Sequence, residues 1–125
     1  FAIICMIDDI AQRTKTVTIK HETKVISLLI HEIVYVESHN HYSHIYIVNS
    51  NEEIKCRTPL SSIINNPGFN SFIEISHGLL INAKHITAIE GDKVILTGGI
   101  IKYCSRRKSR NVKQEFFKIV KGRIL

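Results

Sequence analysis

The sequence has little of what marks several common functional classes. Its three cysteines, Cys5, Cys56 and Cys104, are an odd number without CxxC spacing. That argues against a disulfide framework and a structural zinc site, suits a reducing cytosol, and leaves buried thiols as the expectation. The apolar run from Phe1 to Ile7 is far short of the about 20 residues that span a bilayer, and no basic lead marks it as a signal peptide. There is no glycine-rich loop to cradle phosphate and no pair of carboxylates with an evident acid-base task. Ser76-His77 and Cys104-Ser105 invite a nucleophile reading. Neighbours on a strand point to opposite faces, however, and no glycine-flanked elbow accompanies either pair. Nothing here demands catalysis, so a non-enzymatic protein without a cofactor is expected.

What is present is positive charge gathered in one place. Nine of the 17 Lys and Arg residues, but one of the 11 acids, fall from Lys102 onward. This end therefore carries +8 of a net +6, and the remainder is −2. Charge needed only for solubility would be spread, whereas one concentrated patch attracts polyanions and speeds their encounter. Nucleic acid and an anionic membrane surface are both implied, beside the plainer reading of a solvated Lys/Arg-rich helix.

A chain of 125 residues fits one domain with a real core. It begins with Phe rather than Met, so it is expected to be a piece of something longer, with residues 1–14 a linker or the tail of a preceding element and 15–125 the domain. Short β-branched and apolar runs recur at Thr16 to Lys20, Val25 to Ile30, Ile33 to Glu37, Ser43 to Val48, Ile54 to Arg57, Phe72 to Ile75, Leu79 to Ile81, Ile86 to Ile89, Val94 to Leu96 and Ile100 to Cys104. Turn formers separate them, so the fold class is mainly β: about ten short antiparallel strands in a sandwich. Thr58 is a possible cap and Pro59 a possible first residue for one short internal helix over Pro59 to Ile64. A C-terminal helix is expected from about Arg107 to Val120, where Val112, Phe116, Ile119 and Val120 recur at helical spacing. Burial of that apolar stripe against the sheet would separate a nucleic-acid module from an amphipathic membrane helix.

The segment "ESHNHYSH", Glu37 to His44, sets three histidines and an Asn at a junction between two strands. On an extended chain His39 and His41 share a face and His44 opposes them, which does not suit three-ligand zinc geometry. These side chains equally donate to phosphates and base edges.

Four pieces in order, "IVYVESHNHYSHIYI" (Ile33 to Ile47), "TPLSSI" (Thr58 to Ile63), "FIEISHGLLINAKHITAI" (Phe72 to Ile89) and "YCSRRK" (Tyr103 to Lys108), resemble the LytTR DNA-binding domain of bacterial transcription regulators. The likeness runs from about Thr16 to Lys121. Ile33, Tyr35, Val36, Glu37, Tyr42, Leu60, Phe72, Ile75, Leu79, Ile81, Asn82, Ile86, Ser105, Arg106 and Arg107 fit the family pattern. The resemblance implies an elongated β fold that grips double-stranded DNA through inter-strand loops and has no recognition helix. It also implies a cytoplasmic output domain behind a receiver domain in a two-component response regulator, bound as a dimer to paired repeats. The piece alone is expected to be monomeric, since it has no heptad seam. The candidate DNA-binding residues are His39, Asn40, His41, His77, Ser105, Arg106, Arg107, Lys108 and Arg110. Three positions depart from the family: Glu74 where Arg is favoured, Ser76 where His is, and Gly78 where Ser is. Glu74 removes a cation, so either that position does not touch phosphate here or the binding mode is altered.

Overall fold

A computed structural model of the chain describes residues 15–21, 23–50 and 52–120. The expected tail over 1–14 and the residues beyond Val120 lie outside them. Among the described residues ten strands form: β1 (Thr16–His21), β2 (Lys24–Leu29), β3 (Ile33–His39), β4 (Tyr42–Ile47), β5 (Ile54–Cys56), β6 (Phe72–Ser76), β7 (Leu79–Asn82), β8 (Ile86–Glu90), β9 (Lys93–Leu96) and β10 (Ile101–Tyr103). Among the same residues two helices accompany them, α1 (Leu60–Ile64) and α2 (Ser109–Val120), with 3-10 turns at Ile30–Glu32, Pro67–Phe69 and Ala83–His85. All pairings are antiparallel.

The strands make three sheets. A five-stranded sheet in the order β5-β4-β3-β7-β6 lies between the β1-β2 hairpin and a three-stranded sheet ordered β10-β9-β8. Each face of the five-stranded sheet has its own core. On one face Ile33, Val36, Ile45 and Cys56 meet Val17, Ile19 and Leu28 of the hairpin, with Ile63 and Phe69. On the other, Val34, Tyr35, Ile73, Ile75 and Ile81 meet Ile86, Val94 and Leu96 of the three-stranded sheet and Val112 of α2. Burial of one such Ile or Val contributes roughly 1.5–3 kcal/mol. The unbroken apolar run Ile33 to Val36 follows from this layering, because a strand covered on both faces needs no polar alternation. A bulge between Ile33 and Tyr35 turns successive residues Val34 and Tyr35 toward the same core.

Both helices begin later than the sequence suggests. Thr58 is not the cap of α1: Pro59 holds that position in extended conformation with no side-chain cap bond. Its carbonyl accepts from the Ser62 and Ile63 amides, while the Thr58 carbonyl accepts from the Ser43 hydroxyl at 2.7 Å. Residues 106–108 form a turn rather than the start of α2, closed by the Lys108 amide on the Ser105 carbonyl at 3.0 Å. The α2 stripe does dock. Val112 and Val120 are buried, and Phe116 and Ile119 pack half-buried on the second core, leaving Phe117 exposed.

One buried polar side chain ties the layers. Asn82, 1% exposed, donates to the Ile33 carbonyl at 3.0 Å and accepts from the Lys84 amide at 3.1 Å and the Ser71 hydroxyl at 3.2 Å. It thereby holds the start of β3 to the end of β7 and caps the turn that follows.

Candidate nucleic-acid interface

Strand register brings the three candidate segments to one end of the five-stranded sheet. The β3-β4 hairpin pairs His39 with Tyr42, so Asn40 and His41 form a two-residue turn, with φ of 52° and 65°. Two successive positive φ values match the right-handed twist of the flanking strands, and Asn and His tolerate them better than most residues. The turn also corrects the face expected for the histidines. The chain is not extended through it, and the rings that approach are His39 and His44, with centroids 6.0 Å apart. Among the described residues no three His, Cys, Asp or Glu side chains are grouped to hold a metal ion.

The β6-β7 hairpin pairs Ser76 with Leu79, leaving His77 and Gly78 as its turn. Gly78 has φ +75°, and a side chain there would start 3.4 Å from Ser38 Cβ. Its carbonyl accepts from the Ser38 amide at 2.7 Å, extending the β3-β7 ladder and joining the two turns. The departure at Gly78 therefore has a backbone reason: this close, left-handed turn favours the residue without a side chain.

The third segment joins through the Ser105 amide, which donates to the Ile75 carbonyl of β6 at 2.9 Å. The strand-to-helix junction is thus pinned beside the β6-β7 turn. Arg106, Arg107 and Arg110 are exposed and make no ion pair among the described residues. Lys108 differs, because Glu74 on β6 forms an ion pair with it. Glu74, the acid where the family favours a cation, thus engages the junction's own lysine. Lys102 likewise pairs with Glu37 at 3.3 Å and lies 4.3 Å from the centre of the Tyr35 ring.

Beneath this end the aromatic side chains are fixed. Tyr35 and Tyr46 stack with centroids 5.4 Å apart, and the Tyr35 hydroxyl donates to Glu53 at 2.6 Å. Burial, reinforced by that carboxylate, holds the Tyr35 phenol well above its ordinary pKa. The two described thiols, Cys56 and Cys104, are buried, and burial raises the pKa of both. Neither is poised as a nucleophile.

The sequence reading missed one part of this end. β5 pairs with β4 so that Cys56 faces Ser43 and Lys55 faces His44, which brings Arg57 to the hairpin tip. The Lys55 ammonium lies 4.2 Å and the Arg57 guanidinium carbon 5.6 Å from the centre of the Tyr42 ring. A hydrogen bond to Arg57, with the nearby Lys55 charge, lowers the Tyr42 phenol pKa. Period-two spacing puts Lys55 and Arg57 on one face of a strand, but nothing in "IKCR" reveals that its partner is the histidine hairpin.

Comparison with known proteins bears on this arrangement. The family model for the LytTR DNA-binding domain matches residues 23–117. No curated protein sequence matches the chain. A solved structure of the LytTR DNA-binding domain of a methyl-accepting/DNA response regulator from Bacillus cereus shares the fold, with a TM-score of 0.68 at 17% identity, covering 82% of this chain and 96% of that one. Among the described residues no helix is long and apolar enough to cross a membrane. With the family model spanning most of its length and the same layered β fold, the chain belongs to the LytTR DNA-binding domain family.

Proposed function

We propose that the chain is the sequence-reading output domain of a bacterial transcription regulator of the response-regulator kind, acting in the cytoplasm. It reads duplex DNA through His39, Asn40, His41 and His77, with Arg106, Arg107 and Arg110 supplying base-edge and phosphate contacts from the junction. The observation that carries this reading is the convergence of two hydrogen-bonded turns and one cationic junction at a single end of the sheet. Phosphate contacts position a protein on DNA and base contacts specify the site, and this end offers groups for both. Docking of α2 on the second core leaves that helix without a free apolar face of the kind membrane helices use, which favours DNA over a lipid surface. The protein has no catalytic role in this reading. A receiver domain precedes it in the full-length protein, and two copies, monomeric when free, bind paired repeats.

Arg107→Ala tests the reading. A lost base-edge contact costs about 1–3 kcal/mol on the preferred site and relaxes discrimination, whereas a lost phosphate contact weakens all sequences alike. Titration of a selected site and a random duplex should show the larger loss on the selected site. Equal losses would assign Arg107 to the backbone, and no duplex affinity in the wild type would overturn the function.

A further inference from the structure

We propose that the β5 edge of the sheet is a second phosphate-binding edge, with Arg57, assisted by Lys55 and carried on the Tyr42 ring, contacting the DNA backbone across the reading turns from Arg106 and Arg107. The inference rests on the DNA reading above and names a contact outside the residues that reading uses.

Sheet order is the first argument. β5 and β6 are opposite edges of the five-stranded sheet, and the Ser105 junction is bonded to β6. Four inter-strand spacings separate those edges by about 19 Å at ~4.8 Å each. That exceeds the ~12 Å width of the major groove, so the two cationic edges meet different stretches of backbone while the turns between them face the bases.

Preorganisation is the second. Arg57 and Lys55 are exposed, yet both are held over one aromatic ring. A guanidinium held within cation-π distance of a ring is weakly hydrated and already oriented, which lowers the ordering cost of engaging a phosphate. The acid two residues before Lys55, Glu53, accepts the Tyr35 hydroxyl and lies 3.9 Å from His44. It is engaged away from Arg57.

The test compares the wild-type chain with Arg57→Gln and Arg57→Lys on a selected site and on random duplex across salt concentrations. One lost phosphate contact makes the slope of log K against log salt shallower by about 0.9, so the affinity lost between 50 and 200 mM salt shrinks about 3.5-fold. Arg57→Gln should show that change equally on both duplexes, and Arg57→Lys should restore most of the slope. An unchanged slope in Arg57→Gln, beside a strongly salt-dependent wild type, would overturn the second edge and leave the DNA reading standing. A loss confined to the selected site would make Arg57 a base reader and also overturn the proposal. A wild type without salt-dependent duplex affinity would overturn both.

Discussion

Asn82→Ala removes a side chain that makes three hydrogen bonds, to the Ile33 carbonyl, the Lys84 amide and the Ser71 hydroxyl. Each contributes roughly 1 kcal/mol net, so the expected loss is about 3 kcal/mol. Against the ~5–15 kcal/mol of a typical domain that is large, and it lowers the melting temperature by on the order of 10 °C. Asn82→Asp separates the two halves of the network. A carboxylate still accepts from Lys84 and Ser71 but faces the Ile33 carbonyl without a proton to donate. Burial then raises its folded pKa above the ordinary Asp value of about 3.9. The sign follows: the folded state holds the proton more tightly, so the variant's stability deficit is small below the ordinary carboxylate pKa and grows as pH rises through the raised one. Urea unfolding of both variants between pH 4 and pH 8 measures this. A loss below 1 kcal/mol for Asn82→Ala, or a pH-independent deficit for Asn82→Asp, would refute the reasoning. Asn82 acts at the end of β7 away from the turns, so folded Asn82→Ala should keep the wild-type ratio of specific to random binding.

Glu74→Gln releases Lys108 and removes an acid from the junction; the salt slope of duplex binding should steepen by about 0.9, and no change would show that Lys108 meets no phosphate. Gly78→Ala forces a Cβ into a left-handed turn beside Ser38 and should cost about 1–2 kcal/mol, read by urea unfolding, with an unchanged midpoint contradicting the turn geometry. Because the Tyr35 phenol pKa is raised in the folded state, its stabilisation is complete below the unfolded phenol pKa near 10 and is lost as pH rises above it. Wild type should therefore lose stability more steeply than Tyr35→Phe between pH 9 and pH 11, and parallel curves would refute that assignment.

The strands were legible in the sequence because their evidence is local. Every run of β-branched residues became a strand, with ends within two residues of those expected, and α2 docks through the stripe that its spacing marked. The α1 cap was misread because Thr58 and Pro59 both suit a helix start, and local propensity does not choose between them. Long-range pairings were invisible. Glu74 meets Lys108, Glu37 meets Lys102, and Lys55 and Arg57 reach Tyr42 only once β5 lies on β4. At the candidate site, residue types pointed to the turns and the junction, whereas the basic β5 edge depended on register.

The bond from the Ser38 amide to the Gly78 carbonyl makes one prong of two hairpins that are far apart in the chain. Side chains on that prong, at His39, His41 and His77, are exposed and belong to neither core. Such positions are the ones at which new base preferences can be selected with little loss of folding stability. The constraint lies in the backbone: Asn40 and His41 hold positive φ, so a library should keep those two sites to Asn, Asp, Gly or His and vary His39 and His77 freely. Since the turns are joined, a substitution that shifts one moves the other, and preferences selected at His39 and His77 should combine non-additively.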